Sequence, residues 1–301
     1  MKDSQFIKKL KEALAQEDLV EASRQRVLID ARQWEEWYEG TYGTGINPED
    51  VSLTSVDLAE YRSFLLRTCQ ASTVQRKFAS IRKCLLLLAP SILTSIRMPK
   101  LPQPSKPAPS GFTRTERLAI LRAAGKLSVR DRAIVLLATM TGARASSIAG
   151  AKLSNLDIKS RSGSIGYDVV KGSRTYSVPL NSESREALAA WVKQRPPVQH
   201  DHLFTSERYP YEGITRWSIH DVWHRRLARH LPKDLGEKLK GPHQARHGLA
   251  RLLLDQGTPL PDVAAILNHS SVATTANVYM RPSERDLRKH LNGIVGEEEE
   301  E

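Results

Sequence analysis

The stretch "RDRAIVLLATMTGARASSIAG", residues Arg130–Gly150, contains the clearest structural signal of the chain. Its first half is an apolar run that predicts a buried helix. Gly142 stands where that helix would end with a left-handed residue. Arg144 follows two positions later. The pattern therefore predicts a buried helix that holds one arginine at a fixed place.

Downstream of this helix the sequence mixes strand and helix patterns. The segments "GSIGYDVV" and "SRTYSVPL" flank Lys171 and predict a β-hairpin with Gly172 in its turn. The segments "SESREALAAWVKQR" and "TRWSIHDVWHRRLARHL" each predict a helix. Another helix, "HQARHGLARLLLDQ", is stopped by Gly257 and Pro259, and "LPDVAAIL" predicts a short helix with Pro261 at its start.

Upstream, the front part has only helical patterns. Residues 5–16 and 20–39 have apolar positions at helical spacing, and Thr54 with Asp57 forms the capping box of another helix. We therefore predict a mainly α protein: an all-helical N-terminal domain and an α+β domain with a small antiparallel sheet.

A proline-rich segment, "PKLPQPSKPAPSG", separates the two parts, and its five prolines favour an extended strap. The predicted organisation is a helical domain at 1–98, a linker at 99–111, a second domain at 112–296 and an acidic tail at 297–301.

Composition limits the possible functions. The 301 residues carry a net charge of +11. Outside Glu297–Glu301 there are 45 basic and 29 acidic residues, which gives a net charge of +16. This charge favours nucleic acid as the partner, and a role in solubility alone is the alternative. There is no 18-residue apolar run or signal-peptide core, and the two cysteines lack metal-ligand spacing. We expect no membrane association and a cytoplasmic, nucleoid-associated location.

One helix of the front part concentrates basic charge. From Ala71 to Met98 there are five basic residues and no acid. Arg76, Lys77 and Lys83 are therefore predicted to contact DNA phosphates, and a merely solvated basic face is the alternative.

Six polar residues of the back part stand where structure does not require them. They are Arg144, Lys171, His243, Arg246, His269 and Tyr279. Each alone is unremarkable, but their order resembles the catalytic domain of the tyrosine recombinase, or phage integrase, family. The matching segments are "RDRAIVLLATMTGARASSIAGAKLSNLDI", "VVKGSRTYSVPL", "HQARHGLARLLLDQG" and "ILNHSSVATTANVYMRP", and His247 is the extra histidine of the third.

The resemblance implies a role for each of the six residues. Two guanidinium groups would hold the scissile phosphate, and Tyr279 would attack it. Lys171 would protonate the leaving oxygen, His243 would accept the tyrosine proton and His269 would hydrogen-bond the phosphate. No cofactor is implied.

The resemblance also implies an assembly. It implies a two-domain recombinase of the Xer or transposon type that acts as a homotetramer on two DNA sites with inverted half-sites. The apolar stripe Leu287, Leu291 and Ile294 would then lie on a C-terminal helix that docks in trans, and packing on its own domain is the alternative.

Some alternatives remain open. A type IB topoisomerase would use similar residues, and a non-catalytic DNA-binding protein would be expected to have lost one of them. His243 and His247 have the spacing of a zinc pair, without the glutamate of that motif. Ser147 stands where the family usually has an acid that braces the first arginine, so the brace must come from elsewhere.

Overall fold

The computed structural model describes residues 3–47, 53–103, 111–168, 175–208, 212–269 and 271–279. The chain divides into two compact units, Met1–Lys106 and Pro107–Glu301. This division falls within the proline-rich segment. The domain boundaries inferred from the sequence stay predictions.

The front unit is built from helices in its described part. They are α1 (Gln5–Ala15), α2 (Glu21–Tyr42), α3 (Ser55–Thr68), α4 (Ala71–Leu88) and α5 (Pro90–Ser95). The predicted capping box at α3 is confirmed: the Thr54 side chain accepts from the amide of Asp57, whose carboxylate accepts from the Thr54 amide at 2.7 Å. The core centres on Trp34, which is fully buried.

The back unit is organised around one central helix, α7 (Val129–Thr141). Ten of its 13 residues are buried, which explains its almost continuous apolar run. The other helices are α6 (Arg114–Ala124), α8 (Ala145–Ala149), α9 (Ser182–Gln194), α10 (Arg216–Asp221), α11 (Lys233–Lys238), α12 (Pro242–Asp255), α13 (Leu260–Ile266) and α14 (Val272–Tyr279). None of the helices within the described residues has the length and apolar character to cross a membrane.

A small antiparallel sheet packs beside these helices. Its strands β1 (Leu156–Ile158), β2 (Gly163–Asp168) and β3 (Thr175–Pro179) lie in sequential order. Ile165 pairs with Leu156 on one side and with Val178 on the other. The two predicted strands are confirmed and β1 was not predicted. The hairpin turn with Lys171 and Gly172 lies outside the described residues.

The segment predicted as a helix from Thr215 changes its backbone pattern along its length. After α10 it forms a π-helical turn, Val222–Leu227, and a 3₁₀ turn, Ala228–His230. Trp223 and Leu227 are both fully buried in this stretch. Arg226 pairs there with acidic side chains of two other segments. The predicted helix is therefore confirmed, although its second half is π-helical and 3₁₀ instead of α-helical.

Candidate active site

The site is assembled at the end of α7. The helix ends on Gly142, whose backbone has φ 65° and whose amide donates to Ala138 O at 3.0 Å. The predicted left-handed glycine is thus confirmed. A methyl group on Gly142 would lie 2.9 Å from Cδ2 of Leu267. Close packing and the left-handed backbone both require glycine here.

Arg246 joins two segments that are far apart in the sequence. Its side chain is 2% exposed. One guanidinium nitrogen, Nη1, donates to Gly142 O at 2.7 Å, and Nη2 donates to Leu267 O. A buried cation with fixed acceptors keeps one orientation. Helix α12 therefore presents a preset guanidinium beside the end of α7.

Arg144 reaches the same neighbourhood from the N-cap of α8. Its Nη1 donates to Asn268 O at 3.3 Å. Leu267, Asn268 and His269 form a turn after α13, which we call the 267–269 turn. Two consecutive carbonyls of this turn thus receive the two arginines.

The 267–269 turn has the geometry of a Schellman motif. Asn268 has φ 47°, the one positive value at a non-glycine residue in the described part of the chain. The Asn268 amide donates to Ala265 O, and the His269 amide donates to Ala264 O, each at 2.9 Å. These bonds close the end of α13, and the carbonyls of Leu267 and Asn268 accept from the two arginines.

His269 is linked to the helix that follows it. Its Nδ1 lies 2.7 Å from Oγ1 of Thr275 on α14, and Thr275 is fully buried. Burial, followed by the charges of Arg246 and Arg144, lowers the pKa of His269 to about 4. The imidazole is therefore neutral at neutral pH in the free protein.

Two further histidines belong to the cluster. The His243 and His247 rings pack edge to face with centroids 4.5 Å apart. Burial, then the charges of Arg246 and Arg144, lowers the pKa of His243 below its ordinary value. Burial, then the neighbouring His243 and Arg246, lowers the pKa of His247 to about 4. Neutral rings can accept protons or donate one hydrogen bond each.

The structure therefore brings together four of the six residues predicted from the sequence, namely Arg144, His243, Arg246 and His269. Tyr279 is the last residue of α14, and its side chain lies outside the described part. Lys171 also lies outside the described residues. Sequence reasoning missed Asn268 and Thr275, which hold the site through a backbone oxygen and a buried hydroxyl.

Ser147 raised the question of what replaces an acidic brace. Within the described residues, Arg144 has no ion pair, and its guanidinium donates to the Asn268 carbonyl. Arg246 is held by carbonyls as well. Backbone oxygens thus orient both guanidiniums in the described geometry, while Ser147 is half-buried on α8.

The three residues predicted to contact DNA each have a partner within the front unit. Arg76 pairs with Asp30, which is 1% exposed, and the Lys77 ammonium donates to Gln33. Lys83 pairs with Glu17, and Lys77 is itself buried. This basic face of α4 therefore meets α2 and the end of α1. Arg76 and Lys83 remain partly exposed while they make these contacts, and contact of the three residues with DNA stays a prediction.

The described side chains do not suggest a metal centre. Within residues 3–279, leaving out the gaps in the description, no three His, Cys, Asp or Glu side chains come together as metal ligands would. The two histidines with zinc-pair spacing pack against each other instead.

The model of the phage integrase family matches residues 112–285, more than half of the chain. This chain belongs to the phage integrase family. Membership places it among the tyrosine recombinases, enzymes that break and rejoin DNA strands.

Similar proteins agree with this membership. The chain is 28% identical over 250 residues to the tyrosine recombinase XerC of Staphylococcus carnosus. This alignment covers 78% of this chain and 80% of XerC. It is 34% identical over 162 residues to y4rF of Sinorhizobium fredii. That match covers 54% of this chain and 37% of y4rF, so the chain spans little more than a third of that relative.

Solved structures resemble the fold. XerH recombinase in a post-cleavage complex with a palindromic difH substrate has a TM-score of 0.71 at 17% identity, covering 92% of this chain and 80% of XerH. The Tn1549 transposon integrase, in complex with transposon right end DNA, has a TM-score of 0.69 at 16% identity and covers 97% of this chain and all of that one. At such identities the likeness concerns the fold alone.

Proposed function

We propose that this protein is a site-specific DNA recombinase that cuts through a covalent 3′-phosphotyrosyl intermediate. The observation that carries the proposal is the pair of arginines, Arg144 and Arg246, anchored on consecutive carbonyls of the 267–269 turn. Neutral histidines surround that pair. Such a cluster is organised to receive an anion.

The arginines suit a phosphodiester in particular. A phosphodiester gains negative charge on its non-bridging oxygens as a nucleophile attacks. Guanidinium groups that are already oriented stabilise that charge without reorganising. Because Arg246 is buried, its interaction with the phosphate would be screened little by solvent.

The Tyr279 hydroxyl attacks phosphorus, the new O–P bond forms, and the bond from phosphorus to the 5′ oxygen breaks. His243, neutral because its pKa is lowered, accepts the tyrosine proton. Lys171 supplies the proton that the departing 5′ oxygen takes. The reverse attack of a 5′ hydroxyl reseals the strand, so no cofactor is used.

The assembly belongs to the same proposal. We place the enzyme as a homotetramer on two double-stranded DNA sites with inverted half-sites, close to the nucleoid, with its C-terminal helix docked in trans. The similarity to XerC supports recombination as the reaction. A structural neighbour, the site-specific recombinase XerH, is bound to its difH substrate in a pre-cleavage complex.

We keep DNA contact by Arg76, Lys77 and Lys83 in the proposal on the condition that their present contacts change. Arg76 and Lys83 would have to exchange their carboxylate partners for phosphates. Lys77 would have to leave the interior of the unit.

Trapping on a nicked suicide half-site tests the nucleophile. The wild type should form a protein–DNA adduct that survives denaturing electrophoresis, and Tyr279→Phe should form none although it binds the DNA. Tyr176→Phe, which removes a hydroxyl from β3 in the same unit, is the matched control and should form the adduct. An adduct from Tyr279→Phe would place the nucleophile elsewhere.

A further inference from the structure

We propose that Thr275 is a positioning residue of this site: its hydroxyl donates to Nδ1 of His269 and keeps the proton of the neutral imidazole on Nε2. The inference rests on the proposed function, because it concerns what His269 offers to the phosphate. It goes beyond that function in assigning a role to a residue outside the six that the sequence singles out.

The contact between the two side chains is short and enclosed. Oγ1 of Thr275 lies 2.7 Å from Nδ1 of His269, and the threonine is 0% exposed. Water therefore cannot satisfy the hydroxyl. Within the described residues, His269 is the hydrogen-bond partner of this hydroxyl.

The direction of the hydrogen bond follows from counting donors. A hydroxyl has one hydrogen to give and two lone pairs, whereas a neutral imidazole has one N–H and one acceptor nitrogen. If Nδ1 were the donor, the buried threonine hydrogen would have no acceptor among the described residues. An orphaned buried donor is rarer and costlier than an unused lone pair. The hydroxyl therefore donates, Nδ1 accepts, and the ring hydrogen resides on Nε2.

This tautomer decides what the histidine can do. His269 is neutral at neutral pH, so it has a single N–H. With the proton on Nε2, that N–H lies on the opposite side of the ring from Thr275 and, within the described residues, has no protein acceptor. A neutral ring in this tautomer donates one hydrogen bond to a phosphate oxygen.

The bond also connects the histidine to the nucleophile helix. Thr275 is on α14, four residues before Tyr279, which is about one helical turn. The same hydrogen bond that selects the tautomer therefore ties the 267–269 turn to the helix that ends on the proposed nucleophile. Displacing α14 would remove the reason for the proton to stay on Nε2.

Two substitutions separate the hydroxyl from the shape of the side chain. Thr275→Val keeps the branched form and removes the donor, while Thr275→Ser keeps the donor. Thr274→Val makes the same change at the exposed neighbour on α14 and is the matched control. Single-turnover cleavage of the suicide half-site at saturating protein gives the rate of the chemical step.

We expect Thr275→Val to slow that step about tenfold to a hundredfold, the range that follows from leaving one buried polar group unpaired. Thr275→Ser should recover the rate to within about threefold of wild type by the same reasoning. Thr274→Val should cleave as the wild type does. The dissociation constant for the half-site should change little in all three, because the contact affects orientation and not net charge.

The tautomer itself can be read by NMR from long-range couplings between the ring nitrogens and carbon-bound protons in the free protein. The His269 signals are assigned by their loss in His269→Gln. Wild type and Thr275→Ser should show the proton on Nε2, and Thr275→Val should lose that preference. A wild-type ring with its proton on Nδ1, or a Thr275→Val enzyme that cleaves at the wild-type rate while His269→Gln is impaired, overturns the proposal.

Failure of the proposed function would look different. If His269→Gln cleaves like the wild type, the assigned role of His269 is wrong, and the NMR measurement still decides whether Thr275 sets the tautomer.

Discussion

Gly142→Ala is expected to destabilise the back unit by about 2–5 kcal/mol. Alanine in a left-handed backbone costs roughly 1–2 kcal/mol. The added methyl group would also lie 2.9 Å from Leu267 and 3.2 Å from Leu249, so both leucines must move. Overpacking of this kind costs about 1–3 kcal/mol. For a unit of this size the melting temperature should fall by roughly 2–4 °C per kcal/mol.

Gly257→Ala is the matched control in the same unit. Gly257 also has a left-handed backbone, with φ 79°, but a methyl group there would meet nothing within 4 Å. It should lose only the backbone contribution, about 1–2 kcal/mol. Chemical denaturation and thermal unfolding of both full-length variants give the difference, which isolates the packing against Leu267 and Leu249.

Cleavage gives the second measurement on the same pair. Gly142 O is the acceptor of Arg246, so displacing this segment should misplace the guanidinium. Below both melting temperatures, Gly142→Ala should cut the suicide half-site at least about tenfold more slowly than Gly257→Ala, the equivalent of one hydrogen bond lost in the transition state. Equal stability losses, or equal cleavage rates, would refute the view that close packing at Gly142 sets the site.

Three further outcomes are expected. Arg76→Ala should destabilise the front unit by about 1.5–3 kcal/mol, because the buried Asp30 loses its cation and keeps the hydrogen bond from Ser80, while Arg82→Ala on the exposed face of α4 should cost less than about 0.5 kcal/mol; equal unfolding midpoints would mean that the ion pair of Arg76 with Asp30 does not stabilise this unit. Lys171→Ala should slow cleavage, and a 5′-bridging phosphorothiolate should restore it, since a thiolate leaves without a proton; absence of rescue would argue against the general acid. His247 and His269 have pKa values of about 4 in the folded protein, against an ordinary value of 6.5. Between these pH values the unfolded state binds more protons than the folded state, so stability should fall as the pH drops from 6.5 towards 4. The melting temperature should fall less steeply over that range in a His247→Gln variant, and an unchanged profile would refute the assignment.

Features that depend on a few neighbouring residues could be predicted from the sequence. The capping box at Thr54 and Asp57 is such a case, because its partners are three positions apart. Gly142 is another, since a long apolar run followed by glycine specifies where a helix stops. The catalytic candidates were found by their order along the chain, and the structure brings Arg144, His243, Arg246 and His269 to one place.

Features that depend on distant partners could not be predicted. The basic residues of α4 resembled a DNA-contacting face because their partners on α2 are more than forty positions away in the sequence. Lys77 is buried, and its ammonium donates to Gln33, which is exposed. Likewise, Ser147 indicated a missing brace, but no sequence pattern identifies a carbonyl as its replacement. In the π-helical turn after α10, Arg226 pairs with Asp131 and Glu207, partners that local propensity does not contain.

Because both arginines are hydrogen-bonded to main-chain carbonyls, the site can tolerate substitutions in the turn that orients them. A carboxylate brace can be erased by one codon change, whereas every amino acid offers the same carbonyl oxygen. Substitutions at Leu267 and Asn268 are therefore limited by packing and backbone conformation. The residue at position 267 must fill an apolar space. The residue at position 268 must adopt a left-handed backbone, as glycine, asparagine and aspartate do. Any sequence that forms this turn supplies the two carbonyl oxygens that orient the guanidiniums, whichever side chains it carries there.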